Sequence, residues 1–234
     1  KEEKVSVSSK FWLCSADCLC GTLSGLITGG GMTYFYTKYL GLDEGLASIV
    51  WMIFAVWNAL NDPLFGYISD RTKSKLGRRI PYIRYGALLY GVIFILSWFL
   101  WPLGGSQTAL FVQMLVSLFF FDTFYTAIAT SLYVLPYTMA ESNQARSGIF
   151  VWKIFFTLLS LAAPLVLFPL VRPDVGESAS RFQTIMIMLG VVTTLVIFFS
   201  TFFYKEKYTS DAEEAPGLWE SICQCFKNRA FLVY

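Results

Sequence analysis

The sequence predicts an all-α membrane protein built as one bundle of six helices. Hydrophobic side chains make up 56% of the 234 residues and charged side chains only 15%, against about 25% charge in a typical soluble domain. The hydrophobic residues are gathered into six blocks, each long enough for a membrane helix of roughly 20 residues. These blocks are continuous, whereas the strands of a membrane β-barrel alternate apolar and polar residues.

Short loops join the six predicted spans, which cover residues 11–39, 46–69, 82–103, 108–136, 147–170 and 182–204. The predicted bundle occupies residues 1–209. Residues 210–234 are expected to form a cytoplasmic linker followed by the start of a seventh helix, because an apolar run begins again near the end of the sequence. We therefore expect the sequence to be part of a longer membrane protein with a further set of helices.

The distribution of basic residues predicts the orientation. With the N-terminus in the cytoplasm, fourteen of the 18 Lys and Arg residues fall on the cytoplasmic side, and Lys38, Arg172 and Arg181 fall outside. This asymmetry follows the positive-inside rule. We expect a multi-pass protein of the cell membrane with a cytoplasmic N-terminus, whose first span is too long for a cleaved signal peptide.

Four ionisable residues lie inside predicted spans: Asp17, Asp62, Asp122 and Lys153. Each costs roughly 2.5–3.5 kcal/mol at the centre of a membrane helix, so these side chains are expected to face the bundle interior and to have partners. Asp17, Asp62 and Lys153 lie at similar depths, roughly 10 Å from the cytoplasmic ends of their helices. This predicts a cluster of these three residues, with Asp122 apart from them near the midplane.

Two further patterns predict specific helix faces. Asn58, Asn61, Asp62 and Ser69 share one face of the second span, which predicts the lining of a cavity; structural hydrogen bonding between helices is the alternative. In the first span, small residues predict a smooth strip for close helix packing and a bend at the glycine run. These small residues are Gly21, Gly25, Gly29, Gly30 and Gly31.

The loop after the second span contains Gly66-x-x-x-Asp70-Arg71 followed by Gly77-Arg78-Arg79. This order is similar to the signature between helices 2 and 3 of the major facilitator superfamily. We expect a close helix crossing at Gly66, and Asp70 to pair with an arginine or to lie at a helix N-terminus. Such contacts suit a conformational gate, and a plain basic loop is the alternative. The predicted gate residues are Gly66, Asp70, Arg71, Arg78 and Arg79.

A longer string is more specific. Trp57-Asn58-Ala59-Leu60-Asn61-Asp62-Pro63, together with the basic loop and Leu135-Pro136-Tyr137 leading to Glu141, resembles the glycoside–pentoside–hexuronide:cation symporter family, which includes the melibiose carrier. The resemblance implies a twelve-helix major facilitator superfamily transporter. The present chain would be its N-terminal six-helix half, and its partners would be a C-terminal six-helix half, the lipid bilayer and a small-molecule substrate.

The resemblance also implies a cation site, from which this sequence departs. Of two helix-2 aspartates one turn apart, the second is Asp62, but Asn58 replaces the first. The helix-4 aspartate aligns with Ile128, and Asp122 lies six residues earlier. Asp62, Asn58 and Asn61 supply oxygens but a single charge, so we do not expect sodium coupling. We expect transport that is either coupled to protons through Asp62 or Asp122 or uncoupled. The sequence has no histidine, which leaves carboxylates as proton carriers.

The predicted substrate-binding residues are Lys153, Asp17, Thr22 and Trp57. By resemblance, Lys153 stands where the family has a helix-5 arginine that contacts sugar. The family's helix-1 aspartate, which also contacts sugar, aligns near Thr22. Asp17 has no counterpart in this pattern. Lys153 either suits a carboxylated sugar such as a hexuronide or neutralises Asp17 and Asp62, and Trp57 offers a ring on which a sugar can stack.

The expected function is secondary active transport of a glycoside or related sugar by alternating access, with a coupling ion but no cofactor. The alternatives are a lysolipid or lipid carrier of the same family and a six-helix channel or membrane scaffold subunit. An enzyme is not expected, since the sequence offers no nucleophile–base pair. We expect no metal site, because the five cysteines lack ligand spacing. The net charge of +2 gives no indication of nucleic-acid binding.

Overall fold

The computed structural model describes residues 4–174 and 178–206. Within these ranges the chain forms six helices and no strand, which confirms the predicted all-α class. Five helices are long and apolar enough to cross a membrane, and α3 is shorter, with 17 residues. The helices are α1 (Val7–Tyr39), α2 (Glu44–Arg71), α3 (Ile80–Leu96), α4 (Gln107–Met139), α5 (Asn143–Val171) and α6 (Ser180–Ser200). The predicted linker and seventh helix, residues 210–234, lie outside the described residues.

Polar caps set the starts of four helices. In each, a Ser or Asp side chain accepts a hydrogen bond from the backbone N–H three residues later, which satisfies one of the unpaired donors of the first turn. The caps are Ser6, Asp43, Ser106 and Ser142. Because the helices begin at these caps rather than at the first apolar residue, α5 starts at Asn143, four residues before the predicted span.

The third helix ends earlier than the sequence predicts. The helix stops at Leu96, whereas the apolar block continues to residue 103. Gln113 of α4 fixes the turn that follows: its amide group donates to the Phe99 carbonyl at 2.7 Å and accepts from the Trp101 N–H at 3.0 Å. The block extends beyond the helix because these last apolar residues form a turn at the helix end.

The helices pack in an order that places α4 centrally. α1 packs against α5 and α6, α3 packs against α4 and α6, and α2 packs mainly against α4. The outward faces of α2 and α5 expose large apolar side chains, such as Met52 at 70% and Leu165 at 72%. Exposed apolar faces of this extent are typical of surfaces that contact lipid or another protein.

The small-residue strip of α1 lies against α5. A Cβ atom at Gly21 would lie 2.5 Å from Ser160 Oγ, and one at Gly25 would lie 2.7 Å from Pro164 Cγ. At Gly29 a Cβ atom would meet nothing within 4 Å. The strip is therefore confirmed at the first two glycines and wrong at the third.

The bend predicted in α1 is confirmed. The regular helix ends at Leu26, and the wide turn Ile27–Gly31 follows. Within this turn Gly30 has φ 97°, in the left-handed region that glycine adopts without a steric penalty. The first and last parts of α1 therefore run in different directions.

Glu206 binds the first turn of α3. Its carboxylate accepts hydrogen bonds from the backbone N–H groups of Arg78 at 2.9 Å, Arg79 at 2.7 Å and Ile80 at 3.1 Å. A Cβ atom on Gly77 (φ 107°) would lie 2.7 Å from the carboxylate. A negative charge at a helix N-terminus is favourable, so Glu206 fastens the segment after α6 to the start of α3.

Further contacts join the same end of α6 to α1 and α3. Arg84 Nε donates to Thr201 Oγ1 at 2.9 Å, and Ser9 Oγ donates to the Phe203 carbonyl at 2.6 Å. The Trp12 ring stacks on Phe203 with the ring centroids 4.7 Å apart. We call this end of the bundle, which also carries the loop 72–79, the basic end.

The α1–α5 contact makes a stability prediction. Gly25→Ala is expected to destabilise the full-length protein by about 1–3 kcal/mol, because the rigid Pro164 ring must move. Gly29→Ala is the matched control and is expected to change stability by less than about 1 kcal/mol. Thermal unfolding in detergent measures both variants, and equal melting temperatures would contradict the close contact.

The contact of Glu206 with the start of α3 leads to a second stability prediction. Glu206→Gln keeps the side-chain shape but removes the charge at the helix N-terminus, so it is expected to cost about 0.5–2 kcal/mol. Lys205→Gln changes the exposed neighbouring side chain and is expected to leave the melting temperature unchanged. If both variants have the same melting temperature, the Glu206 charge does not stabilise α3.

Candidate functional site

A polar cluster joins α2 to α4 roughly halfway along both helices. Asn61 Nδ2 donates to Asp122 Oδ2 at 2.8 Å and to the Asp122 carbonyl at 3.2 Å. Thr126 Oγ1 donates to Asp62 Oδ1 at 3.1 Å. Asn61 is 0% exposed and Asp122 6%, whereas Asp62 lies on the exposed surface of α2. We call these four residues the α2–α4 cluster.

The cluster corrects one expectation. Asp122 was expected apart from Asp62, yet both carboxylates lie at one interface, because Asn61 and Asp62 both reach α4. The buried Asn61 Oδ1 also has no hydrogen-bond partner among the described residues. Two carboxylates, an amide oxygen and a hydroxyl can together hold a proton or coordinate a small cation.

The Asp122 carboxyl group has no cationic partner in the described bundle. A buried charge is costly unless it is paired. The arrangement therefore favours a bound proton or cation at this position.

The polar stripe of α2 divides between two surfaces. Asn61 and Ser69 are buried, whereas Asn58 and Asp62 are exposed, so the expected single cavity-lining face is wrong in part. Trp57 lies beside the cluster: its ring stacks on Phe119 of α4 at 5.1 Å. The indole N–H of Trp57 is buried without a hydrogen-bond partner among the described residues.

Asp17 and Lys153 form a separate ion pair between α1 and α5. Lys153 Nζ lies 3.4 Å from Asp17 Oδ2 and 5.5 Å from the centroid of the Tyr133 ring, within reach of a cation–π interaction. The predicted cluster of Asp17, Asp62 and Lys153 is confirmed for Asp17 and Lys153 and wrong for Asp62. Asp62 is bonded instead to Thr126, at the contact of α4 with α2.

A cleft of about 320 Å³ lies beside this ion pair, between α1, α4 and α5. Asp17 lines the cleft, together with hydroxyl-bearing side chains and apolar Leu161. Thr22 does not: it is buried, and its hydroxyl donates to the Cys18 carbonyl of its own helix at 2.8 Å. The structure therefore brings Asp17 to a substrate-sized cleft and places Thr22 and Trp57 elsewhere.

The basic loop contains the predicted ion pair. The Arg79 guanidinium pairs with the Asp70 carboxylate and donates to Ser69 Oγ at 3.2 Å. The guanidinium of Arg71 lies 3.7 Å from the centroid of the Tyr67 ring. The pairing of Asp70 with an arginine is confirmed, and it ties the end of α2 to the start of α3.

The other gate residues have different surroundings. A Cβ atom at Gly66 would meet nothing within 4 Å, so the expected close crossing is not made with any described helix. Arg78 contributes its backbone N–H to Glu206.

Sequence reasoning missed two of these residues. Glu206 carried a recognisable signal, because it is an acidic residue between Lys205 and Lys207 just after the last apolar block. Thr126 also carried one, since it lies one helical turn after Asp122 and so on the same face of α4.

The comparisons with known proteins agree with this architecture. The model of a family described as MFS/sugar transport protein matches residues 21–234. YagG of Escherichia coli (strain K12), named for glycoside/cation symport, is 26% identical over 188 residues, which are 80% of this chain and 40% of YagG. The uncharacterized symporter YnaJ of Bacillus subtilis (strain 168) is 25% identical over 236 residues, covering 99% of this chain and 50% of YnaJ.

A mammalian relative also matches. The sodium-dependent lysophosphatidylcholine symporter 1 of Mus musculus is 28% identical over 170 residues, which are 68% of this chain and 30% of that protein. The chain thus spans half or less of the length of these relatives. Since the family model covers all but the first 20 residues, the chain belongs to the MFS/sugar transport protein family of membrane transporters.

Proposed function

We propose that this chain forms the N-terminal half of a symporter that moves a glycoside or related sugar across the cell membrane by alternating access. Membership of a transporter family and the name of the YagG relative support this substrate class. In such transporters two six-helix halves rock around a site near the bilayer midplane. The basic end, with the chain's N-terminus, would face the cytoplasm under the positive-inside rule.

The observation that carries the proposal is that the buried carboxyl group of Asp122 has no cationic partner among the described residues. It lies inside a membrane bundle, it accepts hydrogen bonds from neutral Asn61, and Asp62 lies beside it. Carboxylates inside membrane segments mark ion and proton pathways because their charge is costly in hydrocarbon. We therefore assign coupling to the α2–α4 cluster, with a proton as the coupling ion.

The ion pair of Asp70 with Arg79 and the contact of Glu206 with α3 would form the gate at the basic end. Both fasten the loop 72–79 to the ends of neighbouring helices. The gate would hold one of the two conformations and release it when the halves rock.

A lysolipid carrier is the second candidate. The mouse relative is named for lysophosphatidylcholine. In this chain, Leu161 lines the cleft and is 65% exposed, so the cleft borders the apolar outer face of α5. An acyl chain could lie along this face while a head group enters the cleft.

Uptake by the full-length protein in proteoliposomes tests the proposal. Labelled methyl glycosides and lysophosphatidylcholine are offered with an imposed proton gradient, a sodium gradient or neither. We expect a glycoside to accumulate under the proton gradient. Accumulation of lysophosphatidylcholine alone would establish the second candidate.

Asp122→Asn tests the coupling site, because an amide cannot take up the transported proton. It is expected to reduce gradient-driven uptake by about tenfold or more, while exchange of glycoside without a gradient persists. Asp174→Asn, at an exposed position before α6, is the matched control. Unchanged rate and pH dependence in both Asp62→Asn and Asp122→Asn would overturn coupling at the cluster. Sodium-driven uptake that Asp122→Asn abolishes would replace the proton by sodium.

The gate makes a separate prediction. Asp70→Asn and Arg79→Gln are each expected to lower the initial uptake rate several-fold, and the double variant should resemble either single variant, because both remove one shared ion pair. Lys73→Gln, in the same loop, is the control. Additive losses in the double variant would show that Asp70 and Arg79 act independently.

A further inference from the structure

Two consecutive turns of α2 each carry a buried polar atom at the contact with α4. These atoms are Nε1 of Trp57 and Oδ1 of Asn61, and neither has a hydrogen-bond partner among the described residues. Both side chains lie against α4: the Trp57 ring stacks on Phe119, and the Asn61 amide donates to Asp122. The contact of α2 with α4 therefore contains one unused donor and one unused acceptor.

A single water molecule can partner both atoms. Buried donors and acceptors without hydrogen bonds are destabilising, and proteins usually satisfy them with one another or with ordered water. Side chains four residues apart on a helix are neighbours, with Cβ atoms about 5–6 Å apart. A water that forms two hydrogen bonds of about 2.9 Å spans a similar distance. Water accepts from an indole N–H and donates to an amide oxygen at the same time.

Other ligands match this pair of atoms less well. A bare metal cation cannot accept a hydrogen bond from the indole N–H, and a fully ionised anion has no hydrogen to donate to the amide oxygen. A sugar hydroxyl has both capacities, but neither Trp57 nor Asn61 is among the described residues that line the cleft beside Asp17. Asn61 is also 0% exposed. The chemistry of the pair therefore favours a buried water.

We propose that the contact of α2 with α4 binds one buried water, which accepts a hydrogen bond from Trp57 Nε1 and donates one to Asn61 Oδ1. This water holds the Asn61 amide with its NH₂ group toward Asp122. A turn of the amide by 180° would exchange its oxygen and its NH₂ group, and the hydrogen bond from the water to the oxygen opposes that turn. Trp57 is thereby a positioning residue for Asp122, a role that rests on the proposed coupling at the α2–α4 cluster.

The orientation of Asn61 decides which form of Asp122 the cluster favours. The Asn61 NH₂ group donates to Asp122 Oδ2 at 2.8 Å and to the Asp122 carbonyl at 3.2 Å. Donation to a carboxylate favours its ionised form, whereas an amide oxygen in the same place can only accept from the protonated acid. The water, by keeping the NH₂ group toward Asp122, would help Asp122 to release a transported proton.

Other ionisable side chains lie on the four helices that pack against α4. They are Asp62 of α2, Tyr90 of α3, Asp17 and Cys20 of α1 and Lys153 of α5. Replacing Trp57 changes none of these groups. A change in pH dependence in such a variant therefore reports on the water and on the Asn61 amide.

Glycoside uptake at different pH values by the full-length protein in proteoliposomes tests the positioning role. Trp57→Phe keeps an aromatic ring against Phe119 but removes the indole N–H. It is expected to raise the pH of half-maximal proton-driven uptake by about 1 unit, because the freed amide can turn and accept from protonated Asp122. Trp51→Phe is the matched control: this indole of the same helix donates to Thr33, and its loss should leave the pH profile unchanged.

A double variant separates this route from a general loss of packing. In an Asn61→Leu background, Trp57→Phe should cause no further change in the pH profile, since the proposed effect passes through the Asn61 amide. An unchanged pH profile in Trp57→Phe, or an equal shift with and without Asn61, overturns the positioning role.

A high-resolution structure of the full-length wild-type protein tests the water directly and needs no variant. We expect density for one water within about 3 Å of both Trp57 Nε1 and Asn61 Oδ1. A dry contact, or a metal ion bound to Asn61 Oδ1, overturns the inference, and this result decides it even if Trp57→Phe does not fold. If wild-type uptake does not respond to a proton gradient, the proposed coupling fails instead, and the density still decides the water site.

Discussion

The cost of charge in hydrocarbon is the constraint on which this structure depends. Each ionisable side chain inside a span must find a partner, because water is not available to solvate it. Lys153 and Asp17 meet this requirement between themselves, and their pairing ties α5 to α1. Asp122 accepts hydrogen bonds from Asn61 but has no cationic partner among the described residues. That difference separates a balanced ion pair from a buried carboxyl group without a described cationic partner, to which we assign the proposed coupling.

The central position of α4 keeps these two groups apart. One side of α4 meets α2 and carries the α2–α4 cluster, while Tyr125, from the same helix, lines the cleft beside α1 and α5. Asp122, Tyr125 and Thr126 lie within two turns of this helix. A substrate in the cleft and an ion in the cluster would therefore touch neighbouring residues of a single rigid element. This arrangement offers a short physical route for coupling between the two sites.

The charged side chains at the basic end have a different role from those inside the spans. They lie at helix ends, where backbone groups lack partners within their own helix. Glu206 satisfies three N–H groups at the start of α3, and the ion pair of Asp70 with Arg79 spans the turn between α2 and α3. These contacts fasten the ends of α2, α3 and α6 to one another.

The sequence by itself determined the helical membrane class, the number of helices and the ionisable residues inside them. It also determined the pairing of Asp70 with an arginine. These features could be predicted because hydrophobic blocks and local motifs depend on residues that are neighbours in the sequence. It estimated the depth of Asp17, Asp62 and Lys153 from helix ends, yet depth is one coordinate of three. Only the tertiary structure decided that Asp62 faces α4 while Asp17 faces α5, because lateral position depends on which helices pack together. The ends of α3 and α5 were likewise decided by Gln113 and Ser142, since polar contacts set a helix end where hydrophobicity continues or has not yet begun.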